Sequence, residues 1–162
     1  MSTLRVFTVG HGARTIDQLL AVLAGVGIGR VADVRRYPAS RRHPHFGQEA
    51  LSRSLAEAGV AYEWWGEDLG GRRAAVESSR HPEWRDPGFR AFADHMDTPQ
   101  FGAASARLLE TAATVPTAVM CAETLWWKCH RRLIADALSG AGAQVVHLLD
   151  VGEQQPHPLP LT

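Results

Sequence analysis

Apolar and polar positions in this chain follow two alternating rhythms. Leu4 to Val9 is a short apolar, β-branched run closed by Gly10-His11-Gly12, and it reads as a first buried strand. From Thr15, an N-cap residue, Ile16, Leu19, Leu20 and Leu23 recur at helical spacing until Gly25, Gly27 and Gly29 end the helix. Gly29 to Val34 reads as a second strand, followed by a loop from Arg35 to Gly47 rich in Arg, His and Pro. The pattern then predicts a helix from Gln48 to Ala58 and a third strand from Val60 to Trp65. Gly66 to Pro87 is a polar excursion, longer than most connections in compact domains.

Helical spacing returns over Phe89–Met96 and Phe101–Thr114. A fourth strand is expected over Thr117–Cys121, a helix from Leu125 or Trp127 to Leu138, and a fifth strand over Gln144–Leu148. The proline-broken tail from Gln154 to Pro160 reads as extended. Short apolar strands alternating with helices predict an α/β fold: a single-domain, three-layer structure with a mostly parallel sheet of about five strands and helices on both faces. The domain is expected over residues 1–152, with 153–162 as a Pro-rich tail.

In such sheets ligands bind beyond the strand C-termini, so the residues at the strand exits matter most. Strand one delivers Gly10 and His11, and strand two delivers Asp33 and Arg35, with Ser40, Arg41 and Arg42 in its loop. Strand three gives Trp64 and Trp65, then Glu67, Asp68, Gly70 and Gly71. Strand four gives Cys121 and Glu123, and strand five gives His147 and Asp150. The opposite ends are plainer: Leu4, Arg30, Val60, Thr117 and Gln144. The asymmetry points to a cleft along one edge of the sheet.

Composition sharpens the kind of ligand. Formal net charge is zero, which argues against polyanion binding by bulk charge. Yet sixteen of the seventeen basic residues are arginine, several paired near strand exits, and arginine suits bidentate recognition of phosphate or carboxylate. A GC-rich genome would account for the ratio but not for the placement. No apolar run approaches the ~18–20 residues that span a bilayer. The N-terminus lacks the pattern of a signal peptide. Two cysteines without an export signal suggest reduced thiols and a cytoplasmic location.

Each motif has a plain and a functional reading. Gly10-His11-Gly12 is either a tight turn or a helix start whose free N–H groups bind an anion. It lacks the full dinucleotide fingerprint, and no cofactor is expected. Asp33 and Arg35 either form a structural ion pair or Asp33 aims Arg35 at a ligand. Tyr37 to Phe46 is a solvated loop or a phosphate- and base-contacting one. Leu69-Gly-Gly-Arg-Arg73 is a flexible turn or a backbone anion nest. The tryptophan pairs at 64–65 and 126–127 pack the core edge or wall a pocket for a planar ligand.

Cys121 admits three roles: a thiolate nucleophile, a zinc ligand with Cys129 and His130, or a small core residue beside a working Glu123. The zinc spacing is wide, no Cys-x-x-Cys is present, and the phosphatase-type Cys-x5-Arg fails because position 127 is Trp. No metal is therefore expected.

Taken together, Thr8-Val-Gly-His11, Asp33-Val-Arg-Arg-Tyr-Pro-Ala-Ser40, Leu69-Gly-Gly71 and Cys121-Ala-Glu followed by Cys129-His-Arg131, with His147 in the last strand, resemble the bacterial and archaeal family known as domain of unknown function 488. The resemblance runs from Leu4 to Leu149. It implies a cytoplasmic, single-domain protein. It marks Gly10, His11, Asp33, Arg35, Pro38, Ser40, Gly70, Gly71, Cys121, Glu123, Cys129, His130 and Arg131 as the family's characteristic positions, without assigning a substrate.

The expectation is an enzyme acting on an anionic ligand, nucleotide-like or nucleic-acid-like. Glu123, Cys121 and His11 are its candidate catalytic groups. Gly10, Asp33, Arg35, Ser40, Arg41, Gly70, Gly71, Cys129, His130 and Arg131 are its candidate ligand-binding groups. A non-catalytic nucleic-acid or nucleotide binding module, and a thiol redox or metal protein using Cys121 and Cys129, are the alternatives. The partner expected is that anionic ligand, with no membrane. The sequence assigns no oligomeric state.

Overall fold

The structure, a computed structural model, describes residues 4–158. The far end of the predicted tail, residues 159–162, and the first three residues lie outside the described residues. Five strands run parallel: β1 (Arg5–Gly10), β2 (Arg30–Asp33), β3 (Ala61–Trp64), β4 (Thr117–Cys121) and β5 (Gln144–Asp150). A sixth, β6 (Glu153–Pro156), pairs antiparallel with β5, and the sheet order is β3-β2-β4-β1-β5-β6. Part of the expected tail is thus an edge strand. Its Pro156 is tolerable because an edge leaves one row of backbone groups unpaired.

Helices cover both faces. One face packs Leu19, Leu23, Leu51 and Leu55 from α1 (Ile16–Ala24) and α2 (Gln48–Glu57) against Val9, Val31 and Met120. The other packs Phe92, Phe101, Leu108, Ile134 and Leu138 from α4 (Pro87–Met96), α5 (Pro99–Thr114) and α6 (Arg131–Gly140) against Val6, Val119 and Val145. A single turn, α3 (Gly66–Leu69), opens the polar excursion. No helix among the described residues is long and apolar enough to cross a membrane.

Helix starts follow their caps. Thr15 and Gln18 form a reciprocal capping box on α1. Helices α4 and α5 begin at Pro87 and Pro99, earlier than the apolar spacing suggests, because Asp86 and Thr98 cap them and proline suits the first helical position. The last helix starts later than expected. Trp126–Lys128 is a 3₁₀ turn, Cys129 is extended (φ −137°, ψ 163°), and α6 begins at Arg131. Cys129 therefore stands just ahead of a helix, not within it.

The topology opens a gap at one place. Strands β1 and β4 are neighbours, but the chain leaves β1 for α1 on one face and leaves β4 for α6 on the other. Where adjacent strands send their connections to opposite faces, a crevice remains above their C-termini.

Candidate functional site

A cavity of about 450 Å³ lies over that crevice, lined among others by His11, Arg35, Arg36, Cys121, Glu123 and His130. A shallower one of about 380 Å³ adjoins it and shares His11, Ser40 and Glu123, adding Arg41 and Arg42. The strand-exit asymmetry therefore corresponds to a real depression built from the exits of β1, β2 and β4.

The glycines serve close approach. A Cβ on Gly10 would strike the Glu123 carbonyl and the Thr124 Cα, so glycine lets the β4 exit lie directly on β1. The His11 and Gly12 N–H groups donate to the Cys121 and Ala122 carbonyls at 3.0 and 2.9 Å. The turn expected to offer free N–H groups instead extends the sheet. Gly70 N–H donates to Gly66 O at 2.9 Å, and a Cβ on Gly70 would meet Gly66 O and the Arg36 backbone. A Cβ on Gly71 would lie 3.1 Å from His130 Nδ1. The Gly-Gly pair makes room for neighbouring groups and forms no nest at Gly70.

Two arginines form the frame. Arg35 is buried and bidentate to Asp33 (Nε to Oδ1 2.9 Å, Nη2 to Oδ2 2.7 Å), and it also donates to Phe46 O at 2.7 Å. Tyr62 donates to Asp33 Oδ2 at 2.6 Å. Burial, then the Asp33 charge, drives the Tyr62 hydroxyl far above its usual range. His11 stacks on Phe46 at 4.3 Å and gives its Nδ1–H to Gly12 O at 3.0 Å. Its Nε2 then accepts from Arg35 Nη1 at 3.4 Å. Burial, helped by the Arg35 charge, lowers His11 to about 4, so the ring is neutral at pH 7.

Arg131 is 1% exposed and lies beneath the cavity floor. Its guanidinium donates to Thr8 Oγ1 (3.1 Å), Glu123 O (3.0 Å) and Thr124 O (3.2 Å). From Thr8 a line of hydrogen bonds runs under the sheet. Thr8 donates to His147 Nδ1 at 2.5 Å, His147 Nε2–H to His157 Nδ1 at 2.9 Å, and His157 Nε2–H to Asp136 Oδ1 at 2.6 Å. With these tautomers every link has one donor and one acceptor. Burial, with the Arg131 charge, lowers His147 to about 3. His147, which the sequence placed at an exit, belongs to this buried line and not to the cavity.

The thiols face each other. Cys121 Sγ and Cys129 Sγ are 2.8 Å apart, and Arg131 N–H donates to Cys129 Sγ at 3.2 Å. Burial alone raises Cys121, but the hydrogen bond from Cys129 and the Arg131 charge outweigh it, and the thiol is lowered overall. Its hydrogen bond to Cys121, then burial, holds Cys129 well above the usual range. His130 Nε2–H donates to Val34 O at 3.0 Å, leaving Nδ1 3.8 Å from Cys129 Sγ. Burial lowers His130 to about 4. Glu123 is exposed, and its carboxylate accepts from Leu125 N–H at 3.1 Å.

Arg36, Arg72 and Lys128 also line the larger cavity. The sequence carried a signal for each: Arg36 and Arg72 belong to arginine pairs, and Lys128 is the chain's one lysine, beside Cys129. Arg72 holds φ 57°, a left-handed conformation that a non-glycine residue seldom adopts. No tryptophan lines either cavity. Trp126 stacks on His147 at 4.3 Å in the interior, and Trp64 donates to Arg35 O at 2.8 Å, so these rings brace the frame. The aromatic lining comes from Tyr37 and Phe89.

Fold and site together define an α/β protein whose strand-end cleft carries a thiol pair and a basic rim. Residues 15–138 match the family model described as Domain of unknown function DUF488, and the chain belongs to that family. The match holds Asp33, Arg35 and the Cys121–Arg131 segment, while β1 with His11, and His147, lie outside it. No curated protein and no solved structure matches the chain.

Proposed function

We propose that the protein is an enzyme acting on an anionic, nucleotide-like or nucleic-acid-like ligand, with Cys121 as nucleophile and Glu123 as proton carrier. The observation that carries this reading is the Cys121 thiol, paired with Cys129 Sγ at 2.8 Å, on the wall of a cavity rimmed by Arg36, Arg72 and Lys128. Unlike Arg35, these three cations have no carboxylate partner among the described residues. They attract an anion to the mouth of the site. Tyr37 is 60% exposed, and the Arg36 and Arg72 guanidiniums lie 6.0 and 5.9 Å from its ring centroid, a platform suited to stacking a base. Arg131 stabilises the thiolate from beneath. Glu123 borders both cavities and stays open to solvent, so it can exchange the protons that attack and departure require.

The test pairs Cys121→Ser and Glu123→Gln with a panel of ribonucleotides and short single-stranded oligonucleotides. Turnover is expected to vanish in both variants while binding persists. Binding should weaken in Arg36→Ala and Arg72→Ala, and log affinity should fall linearly with log salt. Binding that survives both site variants, with no product from any panel member, would favour the non-catalytic binding module.

A second reading is favoured by the sulfur contact. Two thiols 2.8 Å apart on a cavity wall can close to a disulfide, with one hydrogen peroxide reduced to two waters as the two thiols lose their protons. Intact mass under non-reducing conditions tests it: peroxide should remove two hydrogens from the wild type and none from Cys129→Ser.

A further inference from the structure

Away from the cleft, the polar excursion folds back on α4. There His81, Asp94 and Asp97 each offer a ligand atom, and these atoms lie within 4.8 Å of one another. Asp94 and Asp97 sit three apart in sequence, on one face of the helix end, and His81 comes from the loop.

The cluster is built in ways a solvated acidic patch is not. Asp94 is only 9% exposed, yet its Oδ2 has no hydrogen-bond partner. Its Oδ1 is fixed by Ser79 Oγ at 2.9 Å and Arg80 N at 3.3 Å. A buried carboxylate oxygen left without a donor is costly unless a cation meets it.

His81 Nε2 lies 2.7 Å from Asp97 Oδ2, and its Nδ1 lies 3.3 Å from Glu83 Oε1. Without a cation, Nε2–H donates to Asp97 Oδ2; a cation would take that proton's place while Glu83 keeps Nδ1–H. A carboxylate holding the far nitrogen of a histidine is the usual support of a metal-binding ring. Among the described residues, no lysine or arginine pairs with Asp94, Asp97 or Glu83.

We infer that His81 Nε2, Asp94 Oδ2 and the Asp97 carboxylate bind one divalent transition-metal cation. One imidazole and two carboxylates suit zinc or manganese, with water completing the shell. The site staples the loop that follows α3 to the end of α4, whose first turn, at Gly88 and Phe89, lines the larger cavity. It does not rest on the chemistry proposed for Cys121.

The full chain, stripped with chelator and dialysed, is titrated calorimetrically with zinc chloride and with manganese chloride. One site per chain is expected for at least one cation, weakened at least tenfold in Asp94→Asn and in His81→Gln, with proton release as His81 is deprotonated. The same cation should raise the melting temperature of the wild type and not of either variant. Asp97→Asn, at an exposed position, serves if the buried variant fails to fold. Absence of binding by both cations overturns the inference. So does binding that all three variants retain, or binding that Cys129→Ser abolishes while they retain it.

Discussion

Replacing Asp33 by asparagine tests whether Arg35 belongs to the frame or to the ligand. Asp33 is fully buried and accepts four hydrogen bonds: Arg35 Nε, Nη2 and backbone N, and Tyr62 Oη. Asparagine keeps the shape but removes the charge and presents an N–H₂ group where two donors already point. A buried guanidinium then has no counter-charge, a situation that costs about 3–5 kcal/mol. With a urea dependence of ~2 kcal/mol per molar, the unfolding midpoint should fall by ~1.5–2.5 M. Tyr62→Phe deletes one hydrogen bond and should cost about 1–2 kcal/mol. The double variant Asp33→Asn/Arg35→Met removes the stranded charge and should be more stable than Asp33→Asn alone. Urea denaturation followed by tryptophan fluorescence measures all of these. An Asp33→Asn loss below ~1 kcal/mol, or a double variant equal to the sum of the singles, would refute the frame assignment and return Arg35 to the ligand.

Three further outcomes follow from the geometry. His11, His130 and His147 are lowered to about 4, 4 and 3 by burial, so the unfolded chain binds their protons first as pH falls. Their stabilising contribution is full above about pH 6.5 and is lost toward pH 4 at about 1.4 kcal/mol per pH unit for each ring. His81, raised chiefly by its hydrogen bond to Asp97, acts in the opposite sense. Urea midpoints at pH 7, 5.5 and 4.5 measure the balance, and a midpoint that does not fall on acidification would contradict the neutral rings. Arg72→Gly relieves a left-handed backbone but frees the unfolded chain, so stability should change by less than about 1 kcal/mol while nucleotide binding weakens. Calorimetric melting and fluorescent-nucleotide titration read the two effects. Cys121 should be alkylated by iodoacetamide at a lower pH than free cysteine, and Arg131→Met should move that profile upward; coincident profiles would remove Arg131 as its cause.

The sheet was legible because burial leaves continuous apolar runs, and caps such as Thr15 mark helix starts. The late start of α6 was not, because Trp126–Lys128 makes a 3₁₀ turn with helix-like spacing and Cys129 breaks it without a Gly or Pro. Strand β6 was hidden by its proline and polar side chains, which an edge tolerates. In the cleft, the exits of β1, β2 and β4 could be read off residue types alone. The engagement of Arg35 and Arg131 could not, since Asp33 beside Arg35 suits either a pair or an aimed arm, and Arg131 meets Thr8 across 123 positions. The glycines were noticed for the wrong property. Gly10 is required by a backbone crossing, a contact between β1 and the β4 exit that no local pattern records.

The line from Arg131 through Thr8 and His147 runs to His157, which follows the antiparallel edge strand, and closes on Asp136. Its five participants come from the first strand, the last helix, the fifth strand and the segment beyond the sixth. During synthesis, then, the arginine beneath the thiols has its full set of supports only after the final hairpin has left the ribosome. Everything that the cleft needs for its rim is made earlier, but the floor is completed last. The floor of the site thus waits on residue 157, and a nascent chain paused before it would hold its thiols over an unfinished support.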